Sequence, residues 1–396
     1  MSDDRLFIAV VGTIRRIEPN TSPTPLQMTD QLALHVLRRP DLQAGKVYSA
    51  WERGDEIARP SPAKRALMLS NPLSLGPDEP MQIIGTKGSR VIGRIDLIAG
   101  RIVAGEVDTP VLWGSEYFVP KEDRDTMMGV MLLMKTQQVF HTVGAHGPSQ
   151  MAYPLYSRLK WADVPLQRFI LLRRARSIVR HYVGRGALGL LARLGAEAAL
   201  AALRATHSVR GATLGLAARE VPKMPSELDA ALASPSAKAR GHRSAAWINW
   251  LLANHFGGNG ARHERRLFLV TRAGSSEPVG YFLLKIKFLP VATHRGFADL
   301  TLASLADART FDPARCGPRA LAMLAFREAS LLGADALEVC AGPTDPPVFT
   351  HSMGFLSAGQ MHLMLRAASP SPLADPRWRR PENWDIRLGD GEYVPN

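Results

Sequence analysis

A strand, a short charged turn and an apolar helix follow one another between Leu112 and Lys135, and this order constrains the fold more than any other stretch. The predicted strand ends at Pro120, because proline cannot donate a hydrogen bond to a strand ladder. From Met127 onwards, apolar residues return at helical spacing. A strand that runs into a helix offers free backbone N–H groups at the positive end of the helix dipole. We therefore expect this turn to be able to hold a phosphate or a pyrophosphate.

The same order of elements is repeated in the second half of the sequence. Residues Ala298–Ser304 predict a strand and Ala320–Leu332 predict a helix, with Asp312, Arg315 and Gly317 in the turn between them. Each copy follows a predicted strand pair, formed by Met81–Gly85 with Val91–Ala99 and by Leu267–Thr271 with Pro278–Phe288. An internal duplication indicates two similar units in tandem. Near the N-terminus, Leu26–Leu42 is interpreted as a helix.

The first copy resembles the acyl-CoA-binding segment of the GNAT acyltransferases, in which a strand ending in Val-x-Pro leads into an Arg-x-x-Gly-x-Gly turn. Arg124 and Gly129 stand at the first and last places of that turn, whereas Met127 replaces the middle glycine and places a side chain where the backbone should approach the phosphate. The resemblance implies acetyl-CoA or another acyl-CoA as donor, and no metal. The donor-binding residues that it implies are Phe118, Val119, Arg124, Met127, Met128, Gly129 and Val130.

The resemblance covers almost the whole chain through features that keep the family's order. They are the turn at Asn71 and Pro72, the tryptophans Trp247 and Trp250, the Met353–Gly354–Phe355 segment and the tail with Trp384, Gly389, Asp390 and Gly391. It is most specific to bacterial tandem-GNAT proteins of the type associated with exopolysaccharide and cellulose biosynthesis, related in architecture to the FemX-type aminoacyltransferases. It implies an α/β (α+β) fold of two GNAT-like domains, each a mixed, mostly antiparallel twisted sheet flanked by helices.

We divide the sequence into three parts. Residues 1–172 form an N-terminal GNAT-like domain with the acyl-CoA site, residues 173–240 a basic helical interdomain segment and linker, and residues 241–396 a C-terminal GNAT-like domain with a tail. The basic cluster Arg173–Arg185 is compatible with a solvated helix face, with a dock on an anionic membrane surface, or with RNA contact. No specific motif supports RNA, so nucleic acid is not expected as a partner.

Two side chains are candidates for the chemistry of acyl transfer, which needs a base for the acceptor and an acid for the leaving thiolate. Glu116 is the candidate base, because it lies on the strand that would face the thioester; the alternative is an ordinary strand-end carboxylate. Tyr156 is the candidate acid, because it matches the family's tyrosine. Lys160 and Trp161 replace the Gly-Phe pair that usually follows that tyrosine, and a core aromatic is the alternative reading of Tyr156.

The second half carries weaker site features. Thr350 stands at the tyrosine place and Arg319 replaces the last small residue of the phosphate turn, so this half is interpreted as a scaffold or as a wall of the acceptor site. A nucleophilic pair of Cys340 with His351 is not expected, because a lone cysteine in an apolar strand is usually buried and inert. No third ligand accompanies His141 and His146, and no metal site is predicted.

Composition sets broad limits on these hypotheses. The 396 residues allow two domains with separate cores, and a net charge of +13 favours anionic partners such as CoA, lipid headgroups, acidic glycans or RNA. The two cysteines fit a reduced, cytoplasmic location, which could be peripheral to the inner membrane face. Near the N-terminus, the short apolar run LFIAVVG follows Asp3 and Asp4 and lacks the basic flank and cleavage site of a signal peptide.

The sequence therefore supports three hypotheses about function. The first is an acyl-CoA-dependent N- or O-acyltransferase whose acceptor, a sugar or an amine, binds between the two halves. The second is a catalytically degenerate tandem GNAT protein that acts as a binding or scaffold component. The third is a FemX-like transfer of an amino acid from charged tRNA, which fits the basic charge.

Overall fold

The computed structural model describes residues 31–45, 47–175, 186–212, 215–234, 236–253, 263–289, 300–342 and 354–387. Within them the strands are β1 Leu32–Arg38, β2 Pro80–Lys87, β3 Arg90–Ala104, β4 Val107–Phe118, β5 Thr142–His146, β6 Ala162–Leu172, β7 Leu216–Val221, β8 Arg240–Gly241, β9 His263–Arg272, β10 Pro278–Leu289, β11 Leu300–Thr310, β12 Ala336–Ala341 and β13 Phe355–Ala367. The helices are α1 Arg39–Ala44, α2 Pro62–Leu69, α3 Met128–Val139, α4 Tyr153–Arg158, α5 Ala187–Ala212, α6 Asp229–Ala233, α7 Ala245–Ala253 and α8 Pro318–Leu331.

All of these strands belong to one sheet. Its order is β1-β2-β3-β4-β5-β13-β6-β12-β11-β10-β9-β7, and β8 pairs with β3 outside this path. The pairings are antiparallel except for β4 with β5 and β11 with β12, where α3 and α8 provide the crossovers between parallel strands. The predicted class, a mixed and mostly antiparallel sheet flanked by helices, is confirmed.

The two halves exchange strands at the centre of the sheet. Strand β6 ends the first half of the sequence, yet it pairs with β12 and β13. Strand β13 closes the second half and pairs with β5 of the first half. The four central strands therefore alternate between the halves, and neither half has a complete sheet of its own.

The apolar core lies on both faces of this sheet. On one face, α2, α7 and the C-terminal tryptophans Trp378 and Trp384 cover residues from both halves. On the opposite face, α3 and α4 cover the strands of the first half, and α8 covers those of the second half. The face under α3 and α4 is the one that carries most of the candidate site.

The predicted helix Leu26–Leu42 is wrong over most of the part that the structure describes. Residues Leu32–Arg38 form the edge strand β1, and only Arg39–Ala44 is helical. Residues 26–30 lie outside the described residues. The apolar residues Leu32, Leu34 and Val36 alternate with their neighbours at the period of a strand, and pairing with β2 fixes this choice.

Helix α5 carries an apolar face that the described residues do not cover. Leu188, Leu190, Leu191 and Leu194 are exposed, whereas Leu203 packs against Gly354. No helix in the described ranges is long and apolar enough to cross a membrane. Residues 176–185, which hold most of the basic cluster Arg173–Arg185, lie outside the described residues, so docking on an anionic membrane surface stays a prediction.

Candidate active site

Strands β4 and β5 separate from each other halfway along β4. They run parallel but share only the three register positions from Leu112↔Val143 to Gly114↔Ala145. Beyond Gly114, β4 continues to Phe118, whereas β5 ends at His146 and is bound on its other side by β13. Because β4 has no register partner from β5 beyond this point, a gap opens in the sheet where an extended ligand could bind backbone groups.

A bulge in β4 lies at the edge of this gap. Opposite β3, the register shifts between Asp96↔Ser115 and Arg94↔Phe118, so that two residues of β4 oppose one of β3. Glu116 lies in this bulge with φ of 49°, a left-handed conformation that costs a non-glycine residue about 1 to 3 kcal/mol. Such strain is tolerated where the surroundings hold the residue in place, and ion pairs do so here.

Glu116 is held by two cations. Its Oε1 lies 3.0 Å from Lys64 Nζ, and its Oε2 accepts a hydrogen bond from Arg94. Lys64 is buried and also contacts Asp96, with Nζ 2.6 Å from Oδ2. Both oxygens of the candidate base are therefore engaged, and its role as a proton acceptor stays a prediction.

The ion-pair network around Glu116 was missed by the sequence interpretation. Lys64 comes from α2, and Ser115 accepts a further hydrogen bond from its ammonium group over 3.2 Å. Gln82 on β2 donates to Asp96 Oδ1 over 2.7 Å. A lysine within the first turn of a short amphipathic helix looks like a solvated residue, so no local signal could have indicated its burial.

The turn between β4 and α3 is fixed by its own side chains. Asp123 is buried, and its Oδ1 lies 2.5 Å from Arg90 Nη2. Thr126 Oγ1 donates to the carbonyl of Asp123 over 2.6 Å and accepts from the N–H of Met128 over 3.3 Å. Arg124 Nε donates to the carbonyl of Val119 over 3.3 Å. The predicted donor-binding residues Val119, Arg124 and Met128 are thus brought together.

The first turn of α3 leaves backbone donors free. The N–H of Met131 donates to the carbonyl of Met127 over 2.9 Å, but the N–H groups of Gly129 and Val130 have no acceptor among the described residues. Met127, which precedes them, is 60 % exposed and is therefore not packed into the core. Two free amides at the positive end of a helix dipole suit an anion.

Gly129 cannot carry a side chain without displacing a neighbour. A Cβ at this position would collide with the hydroxyl of Tyr117, which leans over the start of α3. Burial raises the pKa of Tyr117 to about 12, so that this hydroxyl stays protonated at neutral pH. Phe118, which follows Tyr117, is exposed. Val130, whose own N–H is one of the two amides without an acceptor among the described residues, is half-buried.

Tyr156, the candidate acid, lies in the core on this face. Its ring meets that of Trp161 edge to face at 4.8 Å, and it belongs to the same apolar cluster as Val119 and Met128. Burial, with a smaller contribution from Tyr117, raises the pKa of Tyr156 well above its usual value. The hydroxyl therefore keeps its proton at neutral pH, while the part it plays in the reaction stays a prediction.

In the corresponding turn of the second half, Asp312 binds part of the backbone. Asp312 Oδ1 accepts from the N–H groups of Ala314 and Arg315 over 3.1 and 3.2 Å. Pro318 opens α8 and has no N–H to offer. Cys316 is buried, and burial raises its pKa to about 11. Thr350 and His351 lie outside the described residues.

Strand β11 has a bulge like that of β4, but the carboxylate at this bulge, Asp307, is buried in an ion pair. The register shifts between Asp307↔Leu283 and Leu305↔Leu284. Asp307 accepts from Arg243 Nε over 2.7 Å, from Arg243 Nη2 over 3.1 Å and from the hydroxyl of Tyr281 over 2.5 Å. All three side chains are buried, whereas Glu116 in β4 is partly exposed. Within the described ranges, no group of three or more His, Cys, Asp or Glu side chains is placed to hold a metal ion.

Comparisons with known proteins find similarity at the level of structure only. No protein-family model matches the chain, and no curated protein matches it. Solved structures that are similar include a GCN5-related N-acetyltransferase from Anabaena variabilis, with 10% identity over 85% of this chain and 73% of that chain and a TM-score of 0.49. Eis1 from Mycobacterium abscessus gives 14% identity over 85% of this chain and 73% of that chain, with a TM-score of 0.45.

A tandem GNAT protein from the clavulanic acid biosynthesis pathway is similar at the same level. Its identity is 14% over 86% of this chain and 100% of that chain, with a TM-score of 0.45. These similarities are too distant to carry a functional argument. The case for a function therefore rests on the geometry of this chain.

Proposed function

We propose that the chain is an acyl-CoA-dependent acyltransferase that binds its donor in the first half, where β4 separates from β5. The observation that supports this proposal best is the pair of amides at Gly129 and Val130, which lie next to the gap in the sheet and have no acceptor within the described ranges. A pyrophosphate at these amides would place the extended arm of the donor along the unpaired end of β4. The thioester would then reach the bulge that contains Glu116.

The charges around the turn favour an anionic ligand. Arg124 is exposed, and among the described residues its guanidinium is not paired with any carboxylate. In the second half, by contrast, Arg315 Nε lies 3.0 Å from Asp312 Oδ2, and the same carboxylate accepts the turn amides. The arginine of the first turn is therefore available to an anion, whereas that of the second turn is paired with Asp312.

Calorimetric titration with acetyl-CoA and with CoA tests the donor site. We expect the wild-type protein to bind CoA with micromolar affinity. Arg124→Glu should weaken binding at least about tenfold, because the new carboxylate would repel the negatively charged pyrophosphate of CoA. The matched control is Arg315→Glu in the second half, which should bind as the wild type does. Gly129→Glu is a less specific variant, since its side chain would also displace Tyr117.

Two results would reject this assignment. A folded wild-type protein that binds neither ligand would exclude a working donor site. Weaker binding in Arg315→Glu with no change in Arg124→Glu would move the donor to the second half. The acceptor, which we take to be a sugar or an amine held between the halves, is left to a screen that follows successful binding.

A scaffold function is the second candidate, and one observation favours it. The hydroxyl of Tyr117 lies directly over Gly129, and the turn lacks the middle glycine. A pyrophosphate would have to share this space with a protonated phenol. If titration shows no binding, protein partners become the object of the search; transfer from charged tRNA would instead require salt-sensitive RNA binding.

A further inference from the structure

Three polar side chains, two from the first half of the sequence and one from the second, meet on the sheet face that carries α3 and α4. His362 on β13 has its Nδ1 2.9 Å from Oδ1 and 3.1 Å from Oδ2 of Asp163 on β6. The hydroxyl of Tyr153, in the first turn of α4, donates to Asp163 Oδ2 over 2.8 Å. The rings of Tyr153 and His362 are 4.5 Å apart. This cluster is formed by the strand exchange.

The hydrogen bonds fix the tautomer of His362. An ionised carboxylate only accepts, so the proton of the neutral imidazole lies on Nδ1 and the lone pair lies on Nε2. Nε2 has no partner among the described residues, and the side chain is 25% exposed. Tyr153 remains a donor, because its hydrogen bond to Asp163 raises its pKa. Asp163 and Tyr153 are the titratable groups in contact with the imidazole in the described part of the chain.

The cluster stands beside the proposed donor site. The carbonyl of His362 accepts a hydrogen bond from the N–H of Gly147 over 2.8 Å. Gly147 directly follows the end of β5, where β4 and β5 separate. Helix α4 connects the two places. Tyr153 contacts His362, and two residues later Leu155 Cδ1 would lie 3.8 Å from a Cβ at Gly129. Met364, two residues beyond His362 on the same face of β13, packs in one cluster with Met128.

We propose that His362 is the general base for the acceptor, oriented by Asp163, with Tyr153 as a positioning residue. This inference rests on the proposed acyltransferase function. Nε2 takes the proton of a neutral amine or hydroxyl as its nitrogen or oxygen attacks the thioester carbonyl carbon. The carbon–sulfur bond breaks, and the proton on Nε2 passes to the leaving thiolate, which gives the acylated acceptor and CoA thiol. The imidazole is then neutral again.

His362 has what Glu116 lacks for this step. Both oxygens of Glu116 are engaged by Lys64 and Arg94. The lone pair of His362 Nε2, by contrast, has no partner in the part of the chain that the structure describes, and a carboxylate on the other ring nitrogen orients it. A carboxylate that holds the second nitrogen stabilises the imidazolium as it forms. The base would then come from the second half and the donor site from the first, so both halves would be needed for one reaction.

Nitrogen NMR of the full chain labelled at its histidines tests this inference without a known acceptor. We expect His362, assigned by comparison with His362→Gln, to show the Nδ1–H tautomer and to shift on addition of CoA. The exposed His141 serves as the control and should not respond. Asp163→Asn should move the proton of His362 away from Nδ1 or mix the tautomers. If Asp163 only stabilised packing, this variant would leave the tautomer of His362 unchanged.

The outcomes separate the two proposals. If calorimetry on the same sample shows CoA bound while His362 is unresponsive or protonated on Nε2, the general base is rejected and the donor site stands. If CoA does not bind, both proposals are overturned. With acetyl-CoA and glucosamine or spermidine as probe acceptors, any transfer should fall about 10²-fold in His362→Gln, with CoA affinity and His141→Gln unchanged. Equal rates in His362→Gln and wild type would also reject the base.

Discussion

At the scale of single residues, the two carboxylates in the strand bulges differ in their access to water. Glu116 is partly exposed between Lys64 and Arg94, whereas Asp307 is enclosed by Arg243 and Tyr281. Burial by itself raises the pKa of Asp307, but the charge and hydrogen bonds of Arg243 and the hydroxyl of Tyr281 outweigh it and lower the pKa below its usual 3.8. We therefore expect the ion pair of Asp307 with Arg243 to stabilise the folded chain.

We expect Asp307→Asn to lower the free energy of unfolding by about 3 to 5 kcal/mol at pH 7, because Arg243 is left buried without its counter-charge. Asp307 has a lower pKa in the folded chain than in the unfolded chain. The unfolded chain thus binds a proton that the folded chain does not. The contribution of Asp307 is complete above about pH 3.8 and is lost progressively as the pH falls below that value towards the lower pKa of the folded chain. Urea denaturation between pH 3 and pH 7 measures both effects.

The control for this variant is Asp55→Asn, which removes an exposed ion pair with Arg59. Surface pairs of this kind contribute at most about 1 kcal/mol. A loss in Asp307→Asn no larger than that of the control would mean that the buried pair does not stabilise the C-terminal half.

At the scale of elements, the spacing of β4 and its neighbours depends on two glycines. The indole of Trp113 lies across the sheet over Gly100 on β3 and Gly144 on β5, and a Cβ at either position would collide with its ring. Trp113 is almost fully buried. The neighbours of β4 must therefore lack side chains at this level, directly below the point where β4 and β5 separate.

Gly144→Ala should lower the free energy of unfolding by about 1 to 3 kcal/mol, since the methyl group forces Trp113 or the β5 backbone to shift. The control is Gly195→Ala on α5, where a Cβ meets nothing within 4 Å and alanine favours a helix by about 0.5 to 1 kcal/mol. Thermal midpoints of the two variants should move in opposite directions. An unchanged midpoint for Gly144→Ala would show that the Trp113 contact is relaxed.

At the scale of the whole molecule, strand exchange joins the two halves in one sheet. Strands β13 and β6 each lie between two strands of the other half. Opening either half would leave the ladder groups of an exchanged strand unpaired, which costs as much as losing several backbone hydrogen bonds. The division of the sequence at residue 172 stays a prediction about sequence units and does not mark an edge of the sheet.

We therefore expect a single unfolding transition, with equal calorimetric and van't Hoff enthalpies. Val164→Ala on β6, at a buried position, should lower the midpoint of that one transition without splitting it, at a cost of about 1.5 kcal/mol. Two separate transitions, monitored by tryptophan fluorescence and circular dichroism, would show that the halves fold independently despite the exchanged strands.

The sequence by itself determined the repeated strand-turn-helix order, the position of the candidate turn and the class of the sheet, because these depend on local period, proline and glycine. The prediction of a helix was wrong at Leu32–Arg38, because a short apolar run fits a helix or a strand until β2 pairs with it. Tertiary structure alone decided the exchange of β6 and β13, the burial of Lys64 and the meeting of His362 with Asp163. These residues lie up to 199 positions apart, and only the closed ladder brings their side chains within hydrogen-bonding distance.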